Sequence, residues 1–473
     1  MKHANRSPLT PSKPKELAVI AAILSSFATI TAQATVTPTG FTTPDSSDAF
    51  WSSGGDAGTQ VQVGNNSGDG SLLIEGGSTL TSARGFIANS SGITASVTIS
   101  GSGSAWNFAT GEFLNIGQGG NGTLLISNGG GLSTEGTSNV GNSTGSIGRV
   151  TITGASSYWN AGSIFLGNSG DGAVVVSDGA NITSGGISLG RSSGGTGSLV
   201  VTGSGSSVTT DTISNIGFAG SGSLTVANGG SYSTTANKNI IVNRNGTAES
   251  GMVNIHVTNN GMVNATGQFQ NNDTVNLFAS PTLTAGTYTP ITASSFTGTG
   301  GVYNTWGGEW NGSNEFVANT VSASTGTVSG DLSSQRLSYD SANFIAAFRS
   351  DVGTGDFSAT SLNISDIGGE TVLNAYTISS TLTESADYIY LSLLVGASVD
   401  EYSIYFREDD QESWSIAAAE NVVYDGEYLS FTISQAGDYA ATGSIIPEPS
   451  TYALILSLGV FGALIRRKRA AAR

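Results

Sequence analysis

The chain has 473 residues, 67 of them Gly, and a formal net charge of −17. It contains no Cys, which excludes disulfides, thiolate nucleophiles, iron–sulfur clusters and Cys-bound zinc. Residues 35–449 hold eight basic and 33 acidic side chains; a body of net −25 repels nucleic acid and anionic membranes, and only a local basic patch would admit a phosphate-bearing ligand.

At the front, Lys2, Arg6, Lys13 and Lys15 precede an apolar run over residues 17–30 and then Ala32-Gln33-Ala34. A basic stretch, a short greasy stretch and a small-x-small site predict a signal helix that signal peptidase cleaves after Ala34. The run is shorter than the roughly 20 residues that a spanning helix needs. The exported remainder, without disulfides, depends on burial and hydrogen bonding for its stability.

Next comes a repeat, the strongest signal in the sequence. GSLLIEGGSTLTS from Gly70, GTLLISNGGGLST from Gly122, GAVVVSDGANITS from Gly172 and GSLTVANGGSYST from Gly222 are one type. ASVTISGSGSAWN from Ala95, GRVTITGASSYWN from Gly148, GSLVVTGSGSSVT from Gly197 and GMVNIHVTNNGMV from Gly251 alternate with them. These eight copies of about 25 residues span about 63–265. Inside each, a strand with one buried face should keep two inward positions apolar and leave the residue between them free. The pairs are Leu72/Ile74, Val97/Ile99, Leu124/Ile126, Val150/Ile152, Val174/Val176, Leu199/Val201, Leu224/Val226 and Val253/Ile255, all aliphatic, whereas the residues between them range from Leu73 to Asn254.

A second apolar point follows each pair (Leu80, Trp106, Leu132, Trp159, Ile182, Val208, Tyr232, Met262), across Gly-rich strings read as tight turns. A third lies in Ile87-Ala88-Asn89, Ile116-Gly117-Gln118, Val140-Gly141-Asn142, Leu166-Gly167-Asn168, Leu189-Gly190-Arg191 and Ile216-Gly217-Phe218. One copy cannot close a core, but stacked copies bury a continuous aliphatic column. The expectation is an all-β chain with a parallel β-helix, right-handed by precedent, over 35–325, its last part made of degenerate rungs. Trp106 and Trp159 read as corner fillers, with sugar-stacking platforms as the alternative. The Asn residues after the third point read as turn residues or a stacked amide ladder.

These copies resemble the passenger repeats of bacterial autotransporter proteins and, more narrowly, the repeat that such passengers share with PEP-CTERM proteins. Autotransporters end in an outer-membrane β-barrel, and this sequence offers no set of strands to build one. Self-translocation is therefore not expected.

From about Val328 the texture changes to fewer Gly, more Tyr and more acid. YIYLSLLV from Tyr388, YSIYFRE from Tyr402, WSIAAAENVVY from Trp414, EYLSFTI from Glu427 and GDYAATG from Gly437 alternate as antiparallel strands do, and predict a β-sandwich over 326–445. The cluster Glu408-Asp409-Asp410-Gln411-Glu412 lacks the ligand spacing of a calcium loop and reads as a solvated hairpin tip.

Parallel β-helices include polysaccharide lyases and hydrolases, so catalytic groups must be sought. After cleavage one His is left, His256, with no acid near it in the repeat register. Asp69 and Asp171 recur in NSGDG but stand about four rungs, or roughly 20 Å, apart, too far to act together. The solenoid's five basic residues fall on different rungs. No catalytic residue, cofactor or metal ligand is assigned.

The sequence ends in Pro447-Glu448-Pro449, an uncharged stretch over 450–465 and the basic tail Arg466-Arg467-Lys468-Arg469. As a helix the stretch reaches about 24 Å, enough to be held briefly by a membrane whose cytoplasmic side fixes the basic end. This tail, 446–473, resembles the PEP-CTERM sorting signal. The resemblance implies a Gram-negative bacterium that makes exopolysaccharide, recognition by an exosortase with processing near Pro447, Glu448 and Pro449, and delivery to the cell surface, outer membrane or extracellular matrix. The expected role is a non-enzymatic structural or adhesin-like protein that meets exopolysaccharide or surface glycans and no nucleic acid; the alternative is a polysaccharide lyase or glycoside hydrolase.

Overall fold

A computed structural model describes residues 35–445 apart from 57, 245–248, 383–387, 397–398, 411 and 418. The expected signal helix with Ala32 and Ala34, and the short C-terminal membrane helix, lie outside the described residues. Among the described residues, no helix is long and apolar enough to cross a membrane.

The described chain is all-β, a β-solenoid of about nine turns followed by antiparallel sheets. One face of the solenoid is a ladder of ten parallel strands, from Gly70–Glu75 through Asn121–Ser127 to Val302–Trp306. At ~4.8 Å per strand, it runs roughly 43 Å. The register places equivalent residues over one another: Leu72, Val97, Leu124 and Val150 form one column, and Ile74, Ile99, Ile126 and Ile152 the next. All sixteen inward residues are at most 2% exposed. The residues between them keep contact with solvent through Thr225, and Leu125 is 37% exposed. Only Asn254, the last, is buried.

The second and third apolar points form the opposite wall. Leu80, Trp106, Leu132, Trp159, Ile182, Val208 and Tyr232 stack in register. Tyr232 pairs with Val263, one residue beyond the expected Met262. Met262 donates no apolar column position; its carbonyl accepts the Tyr232 N–H, and both side chains at 262 and 263 are buried. Glycines make the tight corner between walls possible. A Cβ on Gly172 would stand 2.1 Å from the Val140 carbonyl oxygen of the preceding rung and 2.4 Å from the Gly167 nitrogen, so no larger residue fits there without moving the backbone.

Both ends of the column are covered, as stacked repeats require. At the front, Thr35–Gly40 pairs antiparallel with Gly70–Glu75, and a one-turn helix, Ala49–Ser52, lays Phe50 and Trp51 over the opening. At the back, Thr274–Ala279 and Val302–Trp306 are the degenerate rungs, and Gly286–Tyr288, Gly308–Trp310 and Phe316–Ala318 form a small antiparallel sheet with Phe316 inside.

The C-terminal unit has a six-stranded and a seven-stranded sheet that share one core. Phe344, Phe348, Leu391, Leu429 and Phe431 from one sheet meet Phe357, Tyr376, Ile404 and Tyr439 from the other. Val321–Ala323 already belongs to the first of these sheets, pairing with Arg336–Tyr339.

This unit is fastened to the side of the last rungs. Gly307 donates its N–H to the Phe348 carbonyl at 2.9 Å, and Ser350 donates to Thr305 at 2.9 Å. Phe278 and Trp306, outward on the solenoid, pack with Ala347 and Tyr390 in a separate apolar cluster. Arg336 sends its guanidinium into the solenoid's end, donating to the carbonyls of Leu283, Ser280, Pro281 and Asn319 at 2.6, 2.7, 3.1 and 3.1 Å. Burial lowers its pKa to about 10.

Candidate functional site

The residues that chemistry would recruit first are used by the fold. His256 points outward from its strand, but Tyr390 of the C-terminal unit covers it, leaving it 2% exposed. Its Nδ1 lies 2.7 Å from the Tyr390 hydroxyl, and its ring stacks on Phe278 with 4.8 Å between centroids. Burial pushes its pKa down to about 3, so the imidazole is neutral and walled off from any substrate. Asp69 accepts the N–H of Thr94 on the next rung at 2.7 Å, and Asp171 accepts from Arg149 at 2.7 Å. Each serves a turn.

Trp106 and Trp159 are completely buried, their indole N–H groups donating to Ser82 Oγ at 2.9 Å and Thr134 Oγ1 at 3.3 Å. They fill a corner and offer no face to a sugar. The amide ladder is present: Asn168 donates to Asn142 at 2.8 Å and Asn142 to Gln118 at 2.7 Å. In the acidic hairpin, Glu408, Asp409, Asp410 and Glu412 are exposed between Val399–Arg407 and Ser415–Ile416. Among the described residues, no group of three or more His, Asp or Glu is arranged to hold a metal ion.

One surface feature breaks the pattern. The ladder position held by Gln118, Asn142 and Asn168 passes to Arg191, Phe218 and Arg244 on the next three rungs, each joined by its N–H to the preceding turn. The Arg191 guanidinium stands over Phe165, 3.6 Å from the ring centroid, and that of Arg244 stands 5.1 Å from the centroid of Phe218. Between them the outward column falls from Phe165 to Ser188 and Asn215. The small Ser188 opens the floor of a cleft of about 560 Å³. The loop carrying Lys238 forms its far rim, and among the described residues no carboxylate lines it. Asn215 donates to Ser188 Oγ at 3.3 Å and accepts from Arg244 at 3.4 Å.

Three of the solenoid's five cations therefore meet at one cleft. The other two are in ion pairs, Arg84 with Glu112 and Arg149 with Asp171, both at 2.7 Å. In the sequence these charges fall on separate rungs, Arg191 and Arg244 standing 53 residues apart, and only the rung register brings them together. The usable signal was the position two after the third apolar point, where Arg191 and Phe218 replace the amides.

Beyond the described residues, 446–469 match the PEP-CTERM protein-sorting motif. The chain carries this sorting motif at its C-terminus. The PEP-CTERM match includes Pro447, Glu448 and Pro449 and the basic Arg466, Arg467, Lys468 and Arg469, all outside the described residues. The motif implies an exported protein, anchored in the membrane transiently and sorted by an exosortase. No curated protein and no solved structure matches the chain.

Proposed function

We propose that the chain is a non-enzymatic, adhesin-like rod of the cell surface or extracellular matrix of an exopolysaccharide-producing Gram-negative bacterium. The solenoid presents its side faces, and the C-terminal unit stands between it and the sorted tail. The observation that supports a non-catalytic role is the employment of the reactive groups: His256 is sealed beneath Tyr390, while Asp69, Asp171 and Glu112 hold turns and ion pairs. A lyase or glycosidase needs acids that converge within several ångströms on one groove. The cleft between Arg191 and Arg244 collects only cations, a composition suited to binding an anion; Glu135 and Asp211 line a second cleft but stand three rungs apart, about 14 Å at the strand spacing, too far to act as a pair.

Two measurements test this reading. Incubated with acidic and neutral polysaccharides, the full-length chain should release no reducing ends above a blank; release abolished by one acid substitution would make the chain an enzyme. Mass spectrometry of surface material from cells with an exosortase should find a C-terminus near Pro447–Pro449. An intact Arg473 there would refute exosortase processing.

A further inference from the structure

We propose that the cleft between Arg191 and Arg244 binds a carboxylate-bearing saccharide, a short uronate chain lying along the rod axis. The inference rests on the surface role proposed above for where such a chain is met, but its chemistry comes from the cleft.

Arg191 and Arg244 occupy the same ladder position two rungs apart, about 10 Å at the strand spacing. One strand spacing is close to the length of one extended pyranose unit, so carboxylates on alternate sugars meet successive guanidiniums. Phe165 holds the Arg191 guanidinium over its ring, and a guanidinium placed so can take a carboxylate in bidentate fashion. A side chain held in place by a ring loses little freedom on binding. Between the two cations lie hydroxyls that suit sugar hydroxyls, that of the exposed Thr212 and, on the floor, Ser188 Oγ, while the buried Asn215 amide ties Ser188 to Arg244. The Lys238 rim adds a third charge, and Ile213, 37% exposed, supplies an apolar patch for a pyranose C–H face. A volume of about 560 Å³ suits two or three sugar units.

Other polyanions fit less well. Nucleic acid carries denser charge against a body of net −25. The rings that could stack on bases already carry guanidiniums.

Titration calorimetry on the full-length chain in mild detergent tests the assignment. Tri- to hexagalacturonate should bind, binding should weaken as salt rises, and neutral cello-oligosaccharides of equal length should bind at least tenfold more weakly. Arg191→Gln and Arg244→Gln should each lose about tenfold or more. Arg84→Gln, outside the cleft, should change nothing. Circular dichroism checks that each variant folds. Equal binding of the neutral sugars, unchanged binding in folded Arg191→Gln and Arg244→Gln, or no binding at all overturns the proposal. Single-stranded DNA binding as tightly as the uronates overturns it too. Self-association that the same two variants abolish, with no saccharide affinity, would assign the cleft to the acidic unit of a second copy. None of these results depends on where the protein is sorted, so failure here leaves the surface role standing, and misplacement in cells leaves the cleft standing.

Discussion

In the solenoid, Leu124 and Ile126 face Leu132 and Val140, and each rests on its counterparts one rung above and below. In the C-terminal unit, Phe344 meets Tyr339, Phe357 and Tyr376, which come from three other strands of two sheets. The first arrangement is a sum of similar neighbour contacts, in which damage stays local and propagates rung by rung. The second is one closed core that stands or fails together. The joint between them decides whether the molecule unfolds as one body or two, and Arg336 is its most demanding element.

Replacing Arg336 should have the largest effect. Arg336→Met keeps similar volume but removes the donors for three buried carbonyls and one half-buried one, at a cost of about 3–5 kcal/mol. Calorimetry should then show two separate unfolding transitions in place of one. A single transition at the wild-type temperature would mean that the two regions are not coupled through this side chain.

A corner glycine tests the local character of the solenoid. Gly172→Ala places its Cβ 2.1 Å from the Val140 carbonyl oxygen and should cost about 3 kcal/mol. Gly145 has a φ of +76°, yet nothing lies within 4 Å of an added Cβ. Gly145→Ala should cost only the strain of a left-handed backbone, about 1 kcal/mol. Hydrogen exchange should show the Gly172→Ala damage confined to adjacent rungs, whereas loss of protection throughout the C-terminal unit as well would contradict additive stacking.

These contrasts also explain what was readable in the sequence. The aliphatic pairs, the buried Trp106 and Trp159 and the amide ladder were legible because a repeat states the same local physics many times. Thr274–Ala279 keeps an aliphatic pair, Val275 and Leu277, but lacks the Gly-rich turn, whereas Val302–Trp306 has flanking glycines but puts Tyr303 and Thr305 in the inward register, so the sequence supports only a general expectation of degenerate rungs there. Strands such as Phe344–Phe348 and Thr354–Ser361 carry no repeat in the sequence, since a closed core of aromatic residues has no period to find. The burial of His256 and the gathering of Arg191, Lys238 and Arg244 were hidden for a shared reason. Each is set by what is brought alongside in space, a neighbouring unit in one case and the rung register in the other.

His256 offers a titration that reports on the joint alone. The unfolded imidazole takes up a proton near 6.5, while the folded one refuses it until about 3 because burial disfavours the charge. Protons therefore favour the unfolded chain across that window. The contribution of neutral His256 is complete above pH 6.5 and is lost as pH falls toward 3. His256→Phe keeps a ring against Phe278 and cannot titrate, so its denaturation midpoint should fall less than that of wild type between pH 6.5 and 4. Parallel curves for the two proteins would show that His256 is solvated at the joint.

The smallest effect belongs to the outward column, where the inward and outward assignments meet at adjacent residues. Leu125 lies between Thr98 and Thr151 in the ladder and is 37% exposed. Thr suits a half-exposed strand as well as Leu does, and its hydroxyl remains in water. Leu125→Thr should therefore change stability by no more than about 0.5 kcal/mol, measured by denaturant midpoint with an unchanged slope. The same exchange one residue on, at Ile126, puts an unpaired hydroxyl into a fully buried column. If Leu125→Thr proved as damaging as Ile126→Thr, both faces of this sheet would be covered, and the solenoid would have to carry a partner along its length.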